Sequence, residues 1–201
     1  MIGIIDTGIN NLGSIYNCLD FLSLPYGVIK NKSDLLGYDD YILPGVGSYD
    51  AGVDALKETG LYEAIKELDF TQKKILGICL GMQLLCNSSD EGQKAGLGLI
   101  DADIIHLKSL GCTSKIPHVG FNEIIHTDSS SNFLNSLLNR DFYFVHSFAA
   151  KINDTQVSFA KTEYDGLEII AAVNYKNIYA TQFHPEKSGL NGISVIKDIF
   201  G

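Results

Sequence analysis

The chain is predicted to fold as an α/β protein, with a mostly parallel central sheet that carries helices on both faces and an added antiparallel or mixed strand portion. Short apolar runs alternate with amphipathic stretches through the first part of the chain, which is typical of a parallel sheet covered on both faces. Later, strand-like segments follow one another with few helices between them. The 201 residues, 45% of them apolar, suffice for one sizeable core and are few for two, so we predict one domain over residues 1–201.

The first strands of the sheet are predicted from short apolar runs at Ile2–Ile5, Tyr26–Ile29, 41–43 and 75–78. Apolar residues at positions 12, 15, 16 and 19 have helical spacing and predict a helix after the first strand. Another helix is expected near residues 61–68. Ligands bind beyond the carboxyl ends of the strands in such sheets, so the loops after Ile5, Leu43 and Ile78 should share a crevice.

The second part of the chain is predicted to add strands rather than βα units. The strand-like segments are residues 121–125, 141–145, 156–162, 169–173 and 178–181. A final helix is expected near residues 192–200, where it would close the fold.

Charge and cysteine usage exclude several classes of function. A formal charge of −9 and an isoelectric point near 4.9 would repel a phosphate backbone, so no nucleic-acid partner is expected. No apolar run is long enough to span a membrane, and no basic leader opens the sequence. The four cysteines lack Cys-x-x-Cys spacing, and no histidines have the spacing of a helical metal pair. We therefore predict a cytoplasmic protein without a metal or another cofactor.

A candidate nucleophile, Cys79, lies in the segment Gly-Ile-Cys-Leu-Gly at residues 77–81. An apolar strand precedes it and an amphipathic helix follows, so the cysteine is expected on the sharp turn between them. This pattern is that of a nucleophile elbow, in which flanking glycines permit a strained turn and a close approach of substrate. The amide groups at the start of the helix would favour thiolate over thiol.

A candidate oxyanion hole lies in the segment Pro-Gly-Val-Gly-Ser at residues 44–48, directly after the third predicted strand. Glycines on both sides of Val46 let a peptide group of Val46 and Gly47 turn its amide hydrogen toward a developing oxyanion. Leu80, next to the nucleophile, would supply the second amide donor. Each such donor is worth about 2.7–4 kcal/mol in acyl transfer.

A candidate base and its orienting carboxylate are His184 and Glu186, which follow the last predicted strand. Side chains two residues apart on an extended segment face the same way. His184 would take the proton of the thiol and return it to the leaving amine, while Glu186 would hold the imidazole tautomer. The sequence thus predicts a Cys79, His184 and Glu186 triad.

These motifs resemble the triad (class I) glutamine amidotransferases, whose glutaminase domains pair a Gly-x-Cys-x-Gly elbow with a late His-Pro-Glu. Further segments are similar to the glutaminase subunits of imidazole glycerol phosphate synthase, over nearly the whole chain. The matching segments are residues 8–12, 44–47, 79–85, 117–122, 143–148, 162–166 and 182–188. The resemblance implies the class I glutamine amidotransferase fold.

The resemblance also implies an activity and a partner. The chain would hydrolyse L-glutamine to glutamate and ammonia, and a separate (β/α)₈-barrel cyclase would form a heterodimer with it. The ammonia would pass through the barrel, which in the family converts PRFAR to imidazole glycerol phosphate and AICAR in histidine biosynthesis. Residues that would hold glutamine, carried over by their motifs, are Gly47, Gln83, Glu91, Ser147 and Phe148.

The same resemblance implies a partner interface at Asn11, Phe121, Tyr143 and Lys187. The family more often has glycine where Asn10 stands and tryptophan where Phe121 stands, and both departures lie near the partner face. We also expect weak activity without the partner, because the Val46 peptide must reorient to supply its donor.

Three alternatives remain open at the level of sequence. A paralogous subunit would feed ammonia to a related barrel that forms amidine groups on bacterial surface sugars. A thiol hydrolase acting alone, such as a peptidase or a gamma-glutamyl hydrolase, would work without a partner. A noncatalytic regulatory binding subunit is disfavoured by the intact Cys79, His184 and Glu186.

Overall fold

The apolar runs form the strands of a nine-stranded sheet in this computed structural model, which describes residues 1–8, 12–128 and 131–201. The strands are β1 (Ile2–Ile5), β2 (Tyr26–Ile29), β3 (Asp40–Gly45), β4 (Ile75–Cys79), β5 (Ser88–Ser89), β6 (Ala102–His106), β7 (His118–Thr127), β8 (Asp141–His146), β9 (Phe148–Ile152), β10 (Ser158–Tyr164), β11 (Leu167–Tyr175) and β12 (Ile178–Thr181). The helices are α1 (Gly13–Phe21), α2 (Tyr49–Glu58), α3 (Leu61–Lys66), α4 (Leu80–Leu85), α5 (Asn132–Leu137) and α6 (Gly189–Phe200), with short 3-10 turns at Lys32–Gly37 and Pro185–Lys187.

The main sheet is parallel in one half and antiparallel in the other. Its strand order is β2-β1-β3-β4-β12-β11-β10-β7-β8. The first five strands in this order are parallel to one another, whereas each later pair is antiparallel. A smaller sheet, β5-β6-β9, lies beside it. The predicted parallel sheet with an added antiparallel portion is confirmed.

Helices cover both faces of the parallel half because its strands carry apolar side chains on both sides. Along β1, Ile2 and Ile4 pack with α1, α5 and α6, whereas Ile5 packs on the opposite face with α2, α3 and α4. Along β3, Tyr41 and Leu43 face the second group. A fully buried aliphatic side chain contributes about 1.5–3 kcal/mol, so these two layers are the main source of stability.

The element boundaries agree with the sequence prediction in part. β1, β2 and β12 have the predicted bounds, while α6 begins earlier than predicted and α3 ends earlier. Helix α2 was not predicted. It contains Gly52, which usually weakens a helix, but a Cβ there would lie only 3.1 Å from Leu84, so the glycine permits close packing against α4.

The topology brings the chemically interesting loops to one edge of the sheet. Gly45 at the end of β3 is the register partner of Cys79 at the end of β4, and Ile78 is the partner of Thr181 at the end of β12. The loop after β1 leads into residues 9–11, which lie outside the described residues. Among the described helices, none combines the length and the apolar character needed to cross a membrane.

Candidate active site

A cavity of about 330 Å³ opens at the carboxyl ends of β3 and β4. It lies within the size range of small-molecule sites. Its walls include every residue predicted for the nucleophile, base, oxyanion hole and substrate, while Glu186 lies behind His184. The lining residues are Val46, Gly47, Cys79, Leu80, Gln83, Glu91, Pro117, Val145, His146, Ser147, Phe148 and His184.

Cys79 is the residue of the elbow that carries the backbone strain. Its φ is 53° and its ψ is −107°, a positive φ that residues other than glycine rarely adopt. Such a conformation is costly outside glycine and persists at functional sites where the surrounding structure imposes it. The sequence argument placed this strain on the flanking glycines, but neither Gly77 nor Gly81 has a positive φ.

The flanking glycines instead permit close packing. A Cβ on Gly81 would overlap the backbone carbonyl of Leu43 in β3, and one on Gly77 would lie 2.6 Å from Leu85. Both glycines therefore let α4 lie directly against the parallel strands. Helix α4 has only six residues, so its dipole is weaker than the sequence argument assumed.

His184 and Glu186 form a buried hydrogen-bonded pair. Nδ1 of His184 lies 2.7 Å from Oε1 of Glu186, and the two side chains are only 2% and 6% exposed. The backbone fixes the histidine as well, because its N–H donates to the Tyr143 carbonyl at 2.9 Å and its carbonyl accepts from Ser188 Oγ. The second oxygen of Glu186 is buried and has no hydrogen-bond partner among the described residues.

The imidazole of His184 is held toward its protonated form. Burial lowers its pKa, but hydrogen bonds with Cys79 and Glu186, together with the charges of both groups, outweigh that effect and raise the pKa to about 9. Since Nδ1 faces Glu186, Nε2 is left for the Cys79 thiol. A proton shared in this way between thiol and imidazole is the usual means of activating a cysteine nucleophile.

Gln182 is a site residue that the sequence analysis did not single out. Its side chain is fully buried, and its Nε2 lies 3.7 Å from the Cys79 sulfur. Its Oε1 accepts a hydrogen bond of 3.3 Å from Gln83 Nε2. The sequence analysis included it in the matching segment 182–188 but assigned it no role.

The predicted oxyanion residues meet at the mouth of the cavity. Gly47 has a φ of +98°, which favours glycine, and a side chain added there would meet no atom within 4 Å. Glycine is thus required by the backbone conformation at that position rather than by space. Leu80 is the first residue of α4, and a Cβ on Gly45 would lie 2.8 Å from its Cβ, so the end of β3 is pressed against the elbow.

The predicted substrate residues come from three different elements. Glu91 accepts a 2.9 Å hydrogen bond from the Tyr49 amide through Oε2, so it caps helix α2 at the same time as it lines the cavity. Gln83 lies on α4, and Ser147 and Phe148 follow strand β8. The carbonyl of Phe148 lies 2.7 Å from Nδ1 of His146.

Two histidines beside the cavity form a structural pair. His146 Nε2 lies 3.0 Å from His118 Nδ1, and His118 Nε2 lies 2.8 Å from Asn122 Oδ1. Burial lowers the pKa of His146 to about 3, so its imidazole is neutral. The pair links β7 to β8 behind Ser147. Among the residues that the structure describes, no cluster of His, Cys, Asp or Glu is suited to a metal ion.

Three of the four predicted interface residues, Phe121, Tyr143 and Lys187, lie next to this site. Phe121 is 60% exposed, and its ring centre is 5.5 Å from that of Tyr143 on the neighbouring strand. Tyr143 in turn accepts the His184 amide hydrogen. Lys187 is exposed at the end of the 3-10 turn that carries Glu186. Asn11 lies outside the described residues.

Comparison with known proteins identifies related chains along the whole length. The family model "Glutamine amidotransferase class-I" matches residues 4–200. Imidazole glycerol phosphate synthase subunit HisH of Leptospira borgpetersenii is 38% identical, with 98% of each chain covered. HisH 2 of Methanococcus maripaludis is 41% identical, again with 98% of each chain covered.

Solved structures agree with this assignment at the level of the fold. A crystal structure of a glutamine amidotransferase has a TM-score of 0.75 at 15% identity and covers 98% of this chain and 97% of that one. A glutamine amidotransferase of Thermotoga maritima has a TM-score of 0.60 at 17% identity, over 98% of this chain and 82% of that one. The predicted fold class is confirmed.

Proposed function

Because the chain belongs to the class-I glutamine amidotransferases, and among them to the HisH subunits of imidazole glycerol phosphate synthase, we propose that it acts as a glutaminase in histidine biosynthesis. Residues 1–201 act as one amidotransferase domain in the cytoplasm. They hydrolyse L-glutamine to glutamate and ammonia through Cys79, His184 and Glu186. The ammonia passes to a (β/α)₈-barrel cyclase with which the chain forms a heterodimer.

The observation that carries the catalytic part of the proposal is the position of His184. Its Nδ1 lies 2.7 Å from Glu186 Oε1, and it shares with Cys79 the wall of a cavity large enough for glutamine. Cys79 ends β4, and His184 and Glu186 follow β12, a strand that neighbours β4 in the sheet but is distant in the sequence. A buried histidine with only a structural role needs neither a carboxylate partner such as Glu186 nor a cysteine beside it in a cavity wall.

The chemistry begins with transfer of the thiol proton to His184. The sulfur of Cys79 then attacks the side-chain carboxamide carbon of glutamine, and the carbonyl oxygen becomes an oxyanion. The Leu80 amide, and the Val46–Gly47 peptide once it has turned, donate hydrogen bonds to that oxyanion. His184 returns its proton to the nitrogen, the C–N bond breaks, and ammonia leaves a glutamyl thioester.

Water completes the cycle. His184 takes a proton from the water as it attacks the thioester carbon, and the C–S bond breaks. Glutamate leaves, and the proton returns to the Cys79 sulfur. Throughout both halves Glu186 keeps Nδ1 of His184 protonated, so that Nε2 is always the nitrogen that exchanges the proton.

Glutamine is oriented by groups around the cavity. Glu91 uses Oε2 for the α2 cap, and its Oε1, which accepts no hydrogen bond from the described residues, would bind the α-ammonium group. Gln83 and the segment of Ser147 and Phe148 lie on other walls and would contact the amino-acid portion. Gly47 contributes backbone only.

The partner face is proposed on the strands beside the site. Val119 and Phe121 expose large apolar side chains on β7, and Lys187 adds a positive charge close by. An apolar patch with one cation next to the catalytic histidine suits a protein partner that receives ammonia. The acidic overall charge does not suit nucleic acid.

An electrophilic glutamine analogue tests the assignment of the nucleophile. It should label Cys79, and Cys79→Ala should abolish glutamine hydrolysis while added ammonia still drives the barrel partner. Cys86→Ala is the matched control, because Cys86 is buried away from the cavity and should leave labelling intact. Continued glutamine turnover by Cys79→Ala would contradict the proposal.

The pathway needs its own test, because Phe121 departs from the tryptophan that the family more often has. Complementation of a histidine auxotroph that lacks its HisH subunit should restore growth. Failure to complement, together with association with a barrel that forms amidines on surface sugars, would favour the paralogous pathway.

A further inference from the structure

Gln182 is a fully buried neighbour of the nucleophile. Its amide Nε2 is 3.7 Å from the Cys79 sulfur, and the residue is fully buried, so no water replaces this contact. Its backbone N–H donates to the Ala171 carbonyl at 2.8 Å, which fixes the residue directly after β12. We propose that Gln182 is a positioning residue that holds the Cys79 sulfur and stabilises its thiolate through a side-chain N–H···S hydrogen bond.

Few of the other groups around the sulfur donate a hydrogen bond to it. The Val145 carbonyl lies 4.0 Å from the sulfur and can only accept a hydrogen bond. The six-residue α4 supplies little dipole. Among the described residues, Gln182 is the side chain whose N–H donates to the sulfur, and His184 lines the same cavity as Cys79. A hydrogen bond to the charged form of a group favours that form, and more so away from water.

Gln83 determines which end of the Gln182 amide faces the sulfur. Its Nε2 donates to Gln182 Oε1 at 3.3 Å, which leaves the NH₂ group of Gln182 directed at Cys79. The sulfur, Gln182 and Gln83 therefore form a short chain of hydrogen bonds that ties the elbow helix to the segment that carries His184. Besides its proposed contact with glutamine, Gln83 would thus orient the Gln182 amide within this chain of hydrogen bonds.

The acidity of the Cys79 thiol tests the inference without any need for turnover. The rate at which iodoacetamide alkylates Cys79 is measured against pH, with the modified peptide identified by mass spectrometry. Gln182→Met preserves the length of the side chain but removes the donor, and Gln182→Glu puts an acceptor in its place. The midpoint of alkylation should rise by about one pH unit in Gln182→Met, a tenfold loss of thiolate at a fixed lower pH, and by more in Gln182→Glu.

Thr181→Val is the matched control. Thr181 precedes Gln182, is also fully buried, and donates a hydrogen bond of 3.0 Å to the Phe183 carbonyl without touching the sulfur. It should lose stability but keep the wild-type midpoint. An unchanged midpoint in both Gln182 variants, or an equal shift in Thr181→Val, would overturn the inference. If Gln182→Met does not fold, the predicted shift in Gln182→Glu decides alone.

The inference rests on Cys79 being the nucleophile, but the two can fail separately. Should the midpoint move as expected while the electrophilic glutamine analogue leaves Cys79 unlabelled, the hydrogen bond stands and the proposed glutaminase activity does not. If instead the analogue labels Cys79 but the midpoint does not move in the Gln182 variants, the glutaminase activity stands and Gln182 has no part in it.

Discussion

Replacement of Glu186 by glutamine should change how the stability of the protein depends on pH. In the folded chain the pKa of His184 lies at about 9, against an ordinary value of 6.5, and Glu186 is one of the two groups that hold the proton there. Because the folded chain binds this proton more tightly than the unfolded chain, the proton stabilises the fold, and its full contribution is present below pH 6.5, the ordinary pKa of histidine. That contribution is lost as the pH rises through the folded value, so the window of interest is pH 6.5 to 9.

The magnitude follows from the two pKa values. A difference of about 2.5 units between 9 and 6.5 corresponds to roughly 3 kcal/mol at most, lost at about 1.4 kcal/mol per pH unit within the window. Glu186→Gln keeps the size of the side chain and removes its charge. The pKa of His184 should fall toward its ordinary value, and the variant should lose most of this slope.

The assay is urea denaturation of both proteins at several pH values between 6 and 9.5. The free energy of unfolding of the wild type should exceed that of Glu186→Gln most at pH 6, and the two curves should converge near pH 9. Other groups that titrate in this range are common to both proteins and cancel in the difference. A difference that stays constant across the window would refute the reasoning, because the carboxylate would then not act through the His184 proton.

Two further substitutions test the local geometry. Gly81→Ala should destabilise the fold by about 1–3 kcal/mol in urea denaturation, because the new methyl group overlaps the Leu43 carbonyl, whereas Gly37→Ala, where nothing lies within 4 Å, should be neutral or slightly stabilising. Asp165→Ala should accelerate proteolytic cleavage within residues 111–116. Asp165 accepts hydrogen bonds from Thr113 and Ser114, which hold the pKa of its carboxyl below the ordinary range, and equal cleavage rates would mean that this segment is held by other contacts.

The parallel half of the fold was predictable because its strands are buried on both faces and therefore appear as uninterrupted apolar runs. The small sheet was not, since β5 has two residues and carries no periodicity that a sequence can reveal. Helix α2 was missed for a different reason. Gly52 lowers the helix propensity of this segment. Its packing against α4, which makes glycine useful there, is a tertiary contact that the sequence does not reveal.

The site was predictable to the extent that its chemistry lies in local motifs. The elbow cysteine, the glycine-rich turn and the His-Pro-Glu segment could each be recognised, and the structure places their residues around one cavity or directly behind it. Their roles remain predictions. Gln182 could not be recognised, because its contact with Cys79 depends on the pairing of β12 with β4 across 103 residues of sequence.

The position of β4 between β3 and β12 has a consequence for regulation. Backbone hydrogen bonds set the spacing of neighbouring strands at about 4.8 Å, so the ends of β4 and β12, which carry Cys79 and lead into His184, keep their separation wherever the sheet is intact. The Val46–Gly47 segment that follows β3 is under no such constraint, because both residues are exposed to solvent. If the Val46–Gly47 peptide turns to supply its donor, as proposed above, an external protein would have to move only that peptide unit, and the His184–Glu186 pair would stay assembled in both states.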